Sequence, residues 1–375
     1  MTMLKICKLP PRWAEREEPD YFHPSIAELV DGSWLMTLQR KLPFDDIYGA
    51  PEFSLSRDRG LDWSIPKPLS GMEYREVAPG IIRNVADIRT FSSPDRREAL
   101  AIGVTSYYYR DGKQRLPAGE HTELTTKQPM YAFFRPESGW TSAQLLEAAC
   151  FDNGIAWRAA CAELIWFPNG SIILPVYFSD GDRFSVRTLR LERLGDALRA
   201  VEWGPVLTHN AGRGFIEPSA VFFEGRHFLT IRAEDGHGYW CESADGLQWT
   251  TPVAWQFDDG AVFETGTTQQ HWLKIGKKLC LVYTRRLEDN EHVFRWRSPL
   301  LIAEFNPATG KLRHATETVV FPYRERNGLY NRMGNFHAAE LVDGSGVVSV
   351  GAAYIAVKGD TITENFTEIC VAEIT

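Results

Sequence analysis

Several features missing from this 375-residue chain narrow its function before any motif is considered. It has no basic block, and 41 Lys and Arg against 49 Asp and Glu leave it at −8. Nucleic acid is thereby excluded as the main partner, because phosphate binding needs clustered positive surface. No run approaches the length of a spanning helix, so no membrane partner is expected. The stretch MTMLKICKLPPRWAEREEPDY lacks an apolar core followed by a small-residue cleavage site, which points to a cytoplasmic protein. Cys7, Cys150, Cys161, Cys241, Cys280 and Cys370 form no Cys-x-x-Cys pair. They read as buried thiols in a reducing compartment, not as a disulfide frame or zinc site. A phosphate loop is missing too, since no helix follows the glycines around Gly236 and Gly238.

Helical periodicity is almost absent. The best helical window, 142–149 (SAQLLEAA), covers two turns. Elsewhere short aromatic and β-branched runs are broken by Gly, Asp, Asn and Pro, the pattern of an all-β chain. One module recurs six times: an apolar strand, a tight polar turn and a second apolar strand. The turns fall at Asp31-Gly32, Pro94-Asp95, Asn169-Gly170, Glu224-Gly225, Ile275-Gly276 and Asp343-Gly344, spaced 51 to 75 residues apart. Asn-Gly and Asp-Gly are strong hairpin signals. Six such units, each completed to about four strands, predict a six-bladed β-propeller of four-stranded antiparallel blades. Two β-sandwiches would not predict six copies of one hairpin. A single domain spanning 1–375 follows, with 1–20 an extension or closing segment. The terminal FTEICVAEIT should pair within the last blade or bridge to the first. Aromatics make up 12% of the chain, which suits core filling and also sugar stacking; Trp34, Trp63 and Trp249 read as blade plugs.

In a propeller the innermost strands begin at a central funnel, where side chains from every blade converge. That position holds His23, then Arg83, Asn84, Asp87 and Arg89, then Arg158 and Glu163. It continues with Glu217, with Gln269, Gln270 and His271, and with Asn335 and His337. All are polar where apolar strands begin.

Ser56-Arg57-Asp58-Arg59-Gly60-Leu61-Asp62-Trp63 fits S-x-D-x-G-x-x-W and resembles the Asp-box of sialidases. Ser243-Ala244-Asp245-Gly246-Leu247-Gln248-Trp249 is a shorter copy, and Glu137–Trp140 a degenerate one. The resemblance extends to site residues. Glu217 followed by Arg232 looks like the family's catalytic Glu and one of its carboxylate-clamping arginines. Arg295 or Arg297 matches a further clamp, Tyr330 the tyrosine nucleophile, and Asp45 or Asp46 the general acid. Adjacent acids point apart along an extended chain, so at most one of those two reaches the site. The family's first-blade Arg-Ile-Pro is absent, and His23-Pro24-Ser25 stands in its place. What the resemblance implies is an exo-glycosidase acting on a short acidic or decorated oligosaccharide.

Two other functions fit the same residues. Some related propellers are lyases that remove a uronic acid's C5 proton with His, Tyr and Arg, and His23, His271 and His337 would suit that. A non-catalytic glycan-binding propeller is the third reading. For individual residues plainer roles stay open: an ion pair for Glu217 with Arg232, and outward charges for Arg285, Arg286, Arg295 and Arg297. No cofactor is expected, although His271, Gln269 and His337 offer a candidate divalent-metal set. Oligomeric state is not legible.

Overall fold

The computed structural model describes residues 6–8, 21–41, 48–109, 116, 125–151, 155–179, 181–358 and 361–375. Six antiparallel sheets, each built on four main strands or a close variant, form a six-bladed β-propeller. The first blade runs Tyr21–Glu28, Trp34–Lys41, Tyr48–Ser56 and Lys67–Pro68. The second pairs Ile81–Ser92, Ala99–Tyr109 and Pro129–Arg135, with short strands at both edges. In the third, the inner edge is split into Ala156–Arg158 and Ile165–Trp166, both paired with Ile172–Ser179. The fourth and fifth start at Ile216–Phe223 and His271–Ile275, and the sixth at Leu329–Glu340. Each of the six expected turns joins the first and second main strands of its blade.

The C-terminal strand Thr361–Ile374 lies against Gly346–Lys358 inside the sixth blade. On its outer edge the backbone of Ile6–Lys8 pairs antiparallel, Ile6 opposite Ile374 and Lys8 opposite Ala372. The two ends of the chain thus share one sheet. Among the described residues no helix is long and apolar enough to cross a membrane.

The blades pack face to face through aliphatic and aromatic layers. Between the fourth and fifth blades, Phe228, Trp240, Trp255, Trp272 and Phe305 meet at ring-centroid distances of 5.1–6.4 Å. Most of the aromatic content is spent on such contacts.

In the first-blade turn, Ser56 Oγ donates to Asp58 Oδ1 (2.8 Å), and that oxygen also accepts the Asp62 N–H (2.8 Å). Gly60 occupies the left-handed region at φ 86°, and its N–H donates to Ser56 Oγ. Trp63 closes the turn, its Nε1 donating to the Gly60 carbonyl, and its ring meets the fully buried Trp34 at 6.4 Å. In the fourth-blade turn Asp245 Oδ1 accepts from the N–H groups of Leu247 and Gln248, with Gly246 at φ 77°. Trp249 there donates to Thr188 of the neighbouring blade (2.9 Å).

The window 142–149 is not helical. Gln144–Leu145 forms a short strand opposite Tyr131 and Met130, and Leu146 is fully buried beside it. An isolated two-turn helix is marginal in water, and pairing with an open strand edge prevails.

Trp34 fills the seam between the first and sixth blades with Leu341, Val347 and Val371. Trp34→Ala should lower unfolding free energy by about 3–5 kcal/mol in urea titration; a loss under about 1 kcal/mol would mean that this seam does not hold the ring together.

Candidate active site

A backbone irregularity builds the site. In the first, second, fourth and sixth blades the pairing of the innermost strand shifts, between Phe22 and Ser25, Ala86 and Arg89, Ile216 and Ser219, and Met333 and Phe336. These are β-bulges, which re-aim side chains. His23, Asp87 and Glu217 sit in them at φ 54°, 53° and 47°, and Cys161 takes φ 55° at the matching point of the third blade. Thr267 precedes the fifth blade's first strand at φ 21°. Positive φ in a non-glycine residue is unfavourable and clusters at functional sites. The bulge of the second blade is held by Gln39, whose Oε1 accepts the Asp87 N–H and whose Nε2 donates to the Val85 carbonyl.

The bulged residues form the funnel floor. His23 Nδ1 lies 3.4 Å from Asp87 Oδ1, and Asn335 Nδ2 donates to the same oxygen (2.9 Å) and to Cys161 Sγ (3.0 Å). Residues from four blades are joined in this way. The His23 ring is sealed by Tyr48 (4.6 Å) and Phe22. Asp87 is the more open member of the pair, 26% exposed against 3%. Burial drives the Cys161 thiol far above its usual range, and the charges of Asp87 and Glu217 add to this. The thiol is therefore a poor nucleophile.

On the opposite side, Arg232 Nη1 donates to Glu217 Oε2 (2.6 Å) and Arg232 Nε to Thr267 Oγ1 (3.1 Å). Thr267 donates onward to Glu234 Oε1 (3.2 Å), which Arg213 Nε also reaches (2.7 Å). The Arg213 bond holds the Glu234 carboxyl down at about 2.

Arg295 and Arg297 stand beside this pair. Burial lowers Arg297 to about 9, and the neighbouring charges of Arg232, Arg332 and Arg295 push the same way, with Glu217 opposing. Its Nε is sealed without a partner among the described residues. Arg295 is lowered by burial and by Arg232 and Arg213. A guanidinium keeps its proton at neutral pH, so these arginines bring positive charges close together. Arg285 and Arg286 do not join it, since Arg285 pairs with Glu317, and Arg286 with Glu264 and Glu291.

Arg158 lies over the rings of Tyr177 and Phe184 at 5.6 and 5.0 Å. The Tyr330 hydroxyl accepts the Phe294 N–H (3.3 Å), and no hydrogen bond joins it to Glu217 among the described residues. With Gly266, His292, Phe294, Arg295 and Trp296 it lines a cavity of about 400 Å³. Asp45 and Asp46 lie outside the described residues.

Arg89, Gln269, His271 and His337 occupy a deeper layer, at 0–2% exposure. Two positions beyond a bulge, a side chain drops below the floor: Arg89 follows Asp87, Glu163 follows Cys161, and His337 follows Asn335. His271 Nδ1 contacts Ser219 Oγ (2.7 Å), and His337 Nδ1 accepts the Ile26 N–H (3.4 Å). Their burial removes His271 and His337 from direct contact with anything in the funnel. Among the described residues no cluster of three or more His, Cys, Asp or Glu is arranged to hold a metal.

Sequence reasoning missed four residues of the site: Cys161, Tyr177, Arg213 and Arg332. Tyr177 feels the charges of Arg158, Glu217, Cys161 and Asp87. Arg332 was detectable, because it lies two residues after Tyr330 and shares its face of the strand.

This six-bladed ring with its arginine-lined axis has the sialidase fold. Among solved structures, Trypanosoma rangeli sialidase matches 99% of the chain with a TM-score of 0.62 at 14% identity, and its sialic acid complex matches with 0.63 at 13%. The chain spans about six-tenths of that enzyme's length, 60%. A Dyadobacter fermentans protein of unknown function matches over 100% of this chain and 99% of its own, with a TM-score of 0.67 at 14% identity. No family model matches, and no curated protein matches by sequence. At these identities the likeness defines the fold.

The Glu234 carboxyl, held low, stabilises the fold above its ordinary range, and that contribution fades as pH falls toward about 2. Between about pH 5 and pH 2, the unmodified chain should lose more stability than Glu234→Gln in thermal melts. Parallel curves for the two proteins would show that the Arg213–Glu234–Thr267 chain contributes nothing.

Proposed function

We propose that the chain is a divergent sialidase-like exo-glycosidase that acts on an acidic sugar at the end of a short oligosaccharide. The observation that carries this reading is the crowding of Arg232, Arg295 and Arg332 around Arg297, beside Glu217, with Arg297 depressed to about 9 by burial and by its neighbours' charge. A sugar carboxylate placed there relieves the repulsion, and arginine forks suit carboxylate geometry. Arg332 supplies the clamp that His23 cannot. The sialidase fold of the neighbours supports the choice of chemistry.

Glu217 and Tyr330 take the role of nucleophile pair in this reading. Tyr330 must release the Phe294 N–H and approach Glu217, whose carboxylate then accepts the phenolic proton. Asp45 or Asp46 is the proposed acid for the leaving group. Asp87, the open end of the His23–Asp87 pair, meets the sugar's hydroxyls, with Arg158 beside it. The cavity lined by Phe294, Trp296 and Tyr330 takes the leaving sugar against its aromatic faces.

The His23–Asp87 pair favours a second reading, β-elimination at a uronic acid. Asp87, backed by His23, takes the C5 proton, the C4–O bond breaks, a C4=C5 double bond forms, and the leaving oxygen is protonated. Hydrolysis adds the mass of water to the summed products, whereas elimination leaves it unchanged and creates an ultraviolet-absorbing unsaturated uronate.

Screening sialyl, glucuronosyl, galacturonosyl and rhamnosyl oligosaccharides with products sized by mass should reveal turnover of a sugar-acid substrate with gain of water. Glu217→Gln should lower kcat by about 10²-fold or more. Arg297→Met should raise KM by about 10–100-fold without lowering the melting temperature, because it removes a crowded charge. Binding without turnover would leave a glycan-binding propeller, and an equal response to neutral sugars would remove the arginine cluster from the account.

A further inference from the structure

The layer beneath the funnel floor carries a buried charge that no acidic side chain contacts among the described residues. Arg89 is fully buried, and none of its three guanidinium nitrogens has a hydrogen-bond partner among the described residues. Arginine stays protonated in proteins, so this side chain brings a full positive charge and five N–H donors into the propeller axis. Around it stand Glu163, His271 and His337, each of which feels its charge. They come from the third, fifth and sixth blades, and Arg89 comes from the second.

Glu163 is an acidic group of this layer, but it is turned elsewhere. Its Oε1 lies 3.3 Å from His271 Nδ1 and accepts the Ala338 N–H at 3.4 Å, and no ion pair with Arg89 forms. Burial pushes the Glu163 carboxyl well above its usual range despite Arg89. Burial and Arg89 together push both imidazoles well below theirs. The guanidinium is thus left without a counter-charge in contact among the described residues. His271 Nδ1 is occupied by Ser219 Oγ (2.7 Å) and by the Glu163 carboxyl. Nε2 of the same imidazole is buried without a partner among the described residues. A guanidinium and an imidazole nitrogen thus lack partners in the same sealed layer. Such groups are strongly unfavourable unless paired.

We propose that the propeller axis beneath the funnel is a binding site for a small monovalent anion of chloride's charge, held by the guanidinium of Arg89 with the His271 imidazole beside it. A guanidinium with no counter-charge in contact calls for one negative charge. The walls, Arg89, Glu163, His271 and His337, are all at most 4% exposed, so an anion held there sheds its water, which favours a small monovalent ion. The bound ion links the second and fifth blades across the axis. It lies in a different layer from Glu217 and Arg232, so the proposal stands whether or not the funnel is catalytic.

The test uses crystals of the full chain grown or soaked in sodium bromide, with data collected at the bromine edge, and melting curves at fixed ionic strength in bromide, chloride and gluconate. An anomalous peak within hydrogen-bond reach of Arg89 is expected. Melting temperature should rise saturably when gluconate is replaced by halide; the rise should vanish in Arg89→Met and persist in Glu163→Gln. The proposal is overturned if no anomalous peak appears and a Glu163 carboxylate or water occupies Arg89, or if Arg89→Met responds to halide like the unmodified chain. Should Arg89→Met fail to fold, the bromide map of the unmodified chain decides by itself.

Discussion

The bulge at one level of the innermost strands, holding His23, Asp87 and Glu217 at positive φ, is the constraint on which the funnel depends. A regular strand would alternate its side chains between the two blade faces, and all would be consumed in interblade packing. The bulge breaks that alternation once per strand and aims one side chain along the axis. Each strained residue costs on the order of 1–3 kcal/mol, so the conformation persists only because its surroundings dictate it. Gln39 bridging the Asp87 N–H and the Val85 carbonyl is one such support, and the face-to-face packing of the blades supplies the rest.

The same irregularity separates two electrostatic layers. Above, the floor joins His23, Asp87, Asn335 and Cys161, and the arginines stand to one side around Glu217. Below, Arg89, Glu163, His271 and His337 are sealed from solvent. In the upper layer charges are available to a ligand. In the lower layer they bear on the fold, because any imbalance there must be met inside the protein or by an ion trapped with it. The two layers interact, since Arg89 and Arg232 both act on the Cys161 thiol in the floor.

Much of this architecture was legible in the residue order, and the limits of that legibility have physical causes. Six turns with Gly, Asp or Asn at matching points identified the blades, because a hairpin turn is a local event set by two residues. The window 142–149 misled, since two turns of helical pattern cannot outweigh an open strand edge nearby. At the axis, polarity marked the right stretches but not the depth. Asp87 and Arg89, or Asn335 and His337, are two residues apart, and only the bulge decides which faces the funnel and which the core. A bulge leaves little trace in a single sequence. For the same reason Cys161 read as an ordinary buried thiol, although it sits in the floor. Glu217 and Arg232 were legible because their spacing spans one hairpin, which brings its two ends together (Ile216 opposite Arg232).

The central proposal is that Arg232, Arg295, Arg297 and Arg332 form one receptor for a sugar carboxylate. Nitrogen-15 NMR of arginine side chains during titration with sialic acid or glucuronic acid tests it most directly. The account predicts that the guanidinium signals of these four residues shift together and saturate at one concentration, while a neutral hexose leaves them unmoved. Shifts confined to outward arginines such as Arg190, or no saturable shift at all, would contradict it.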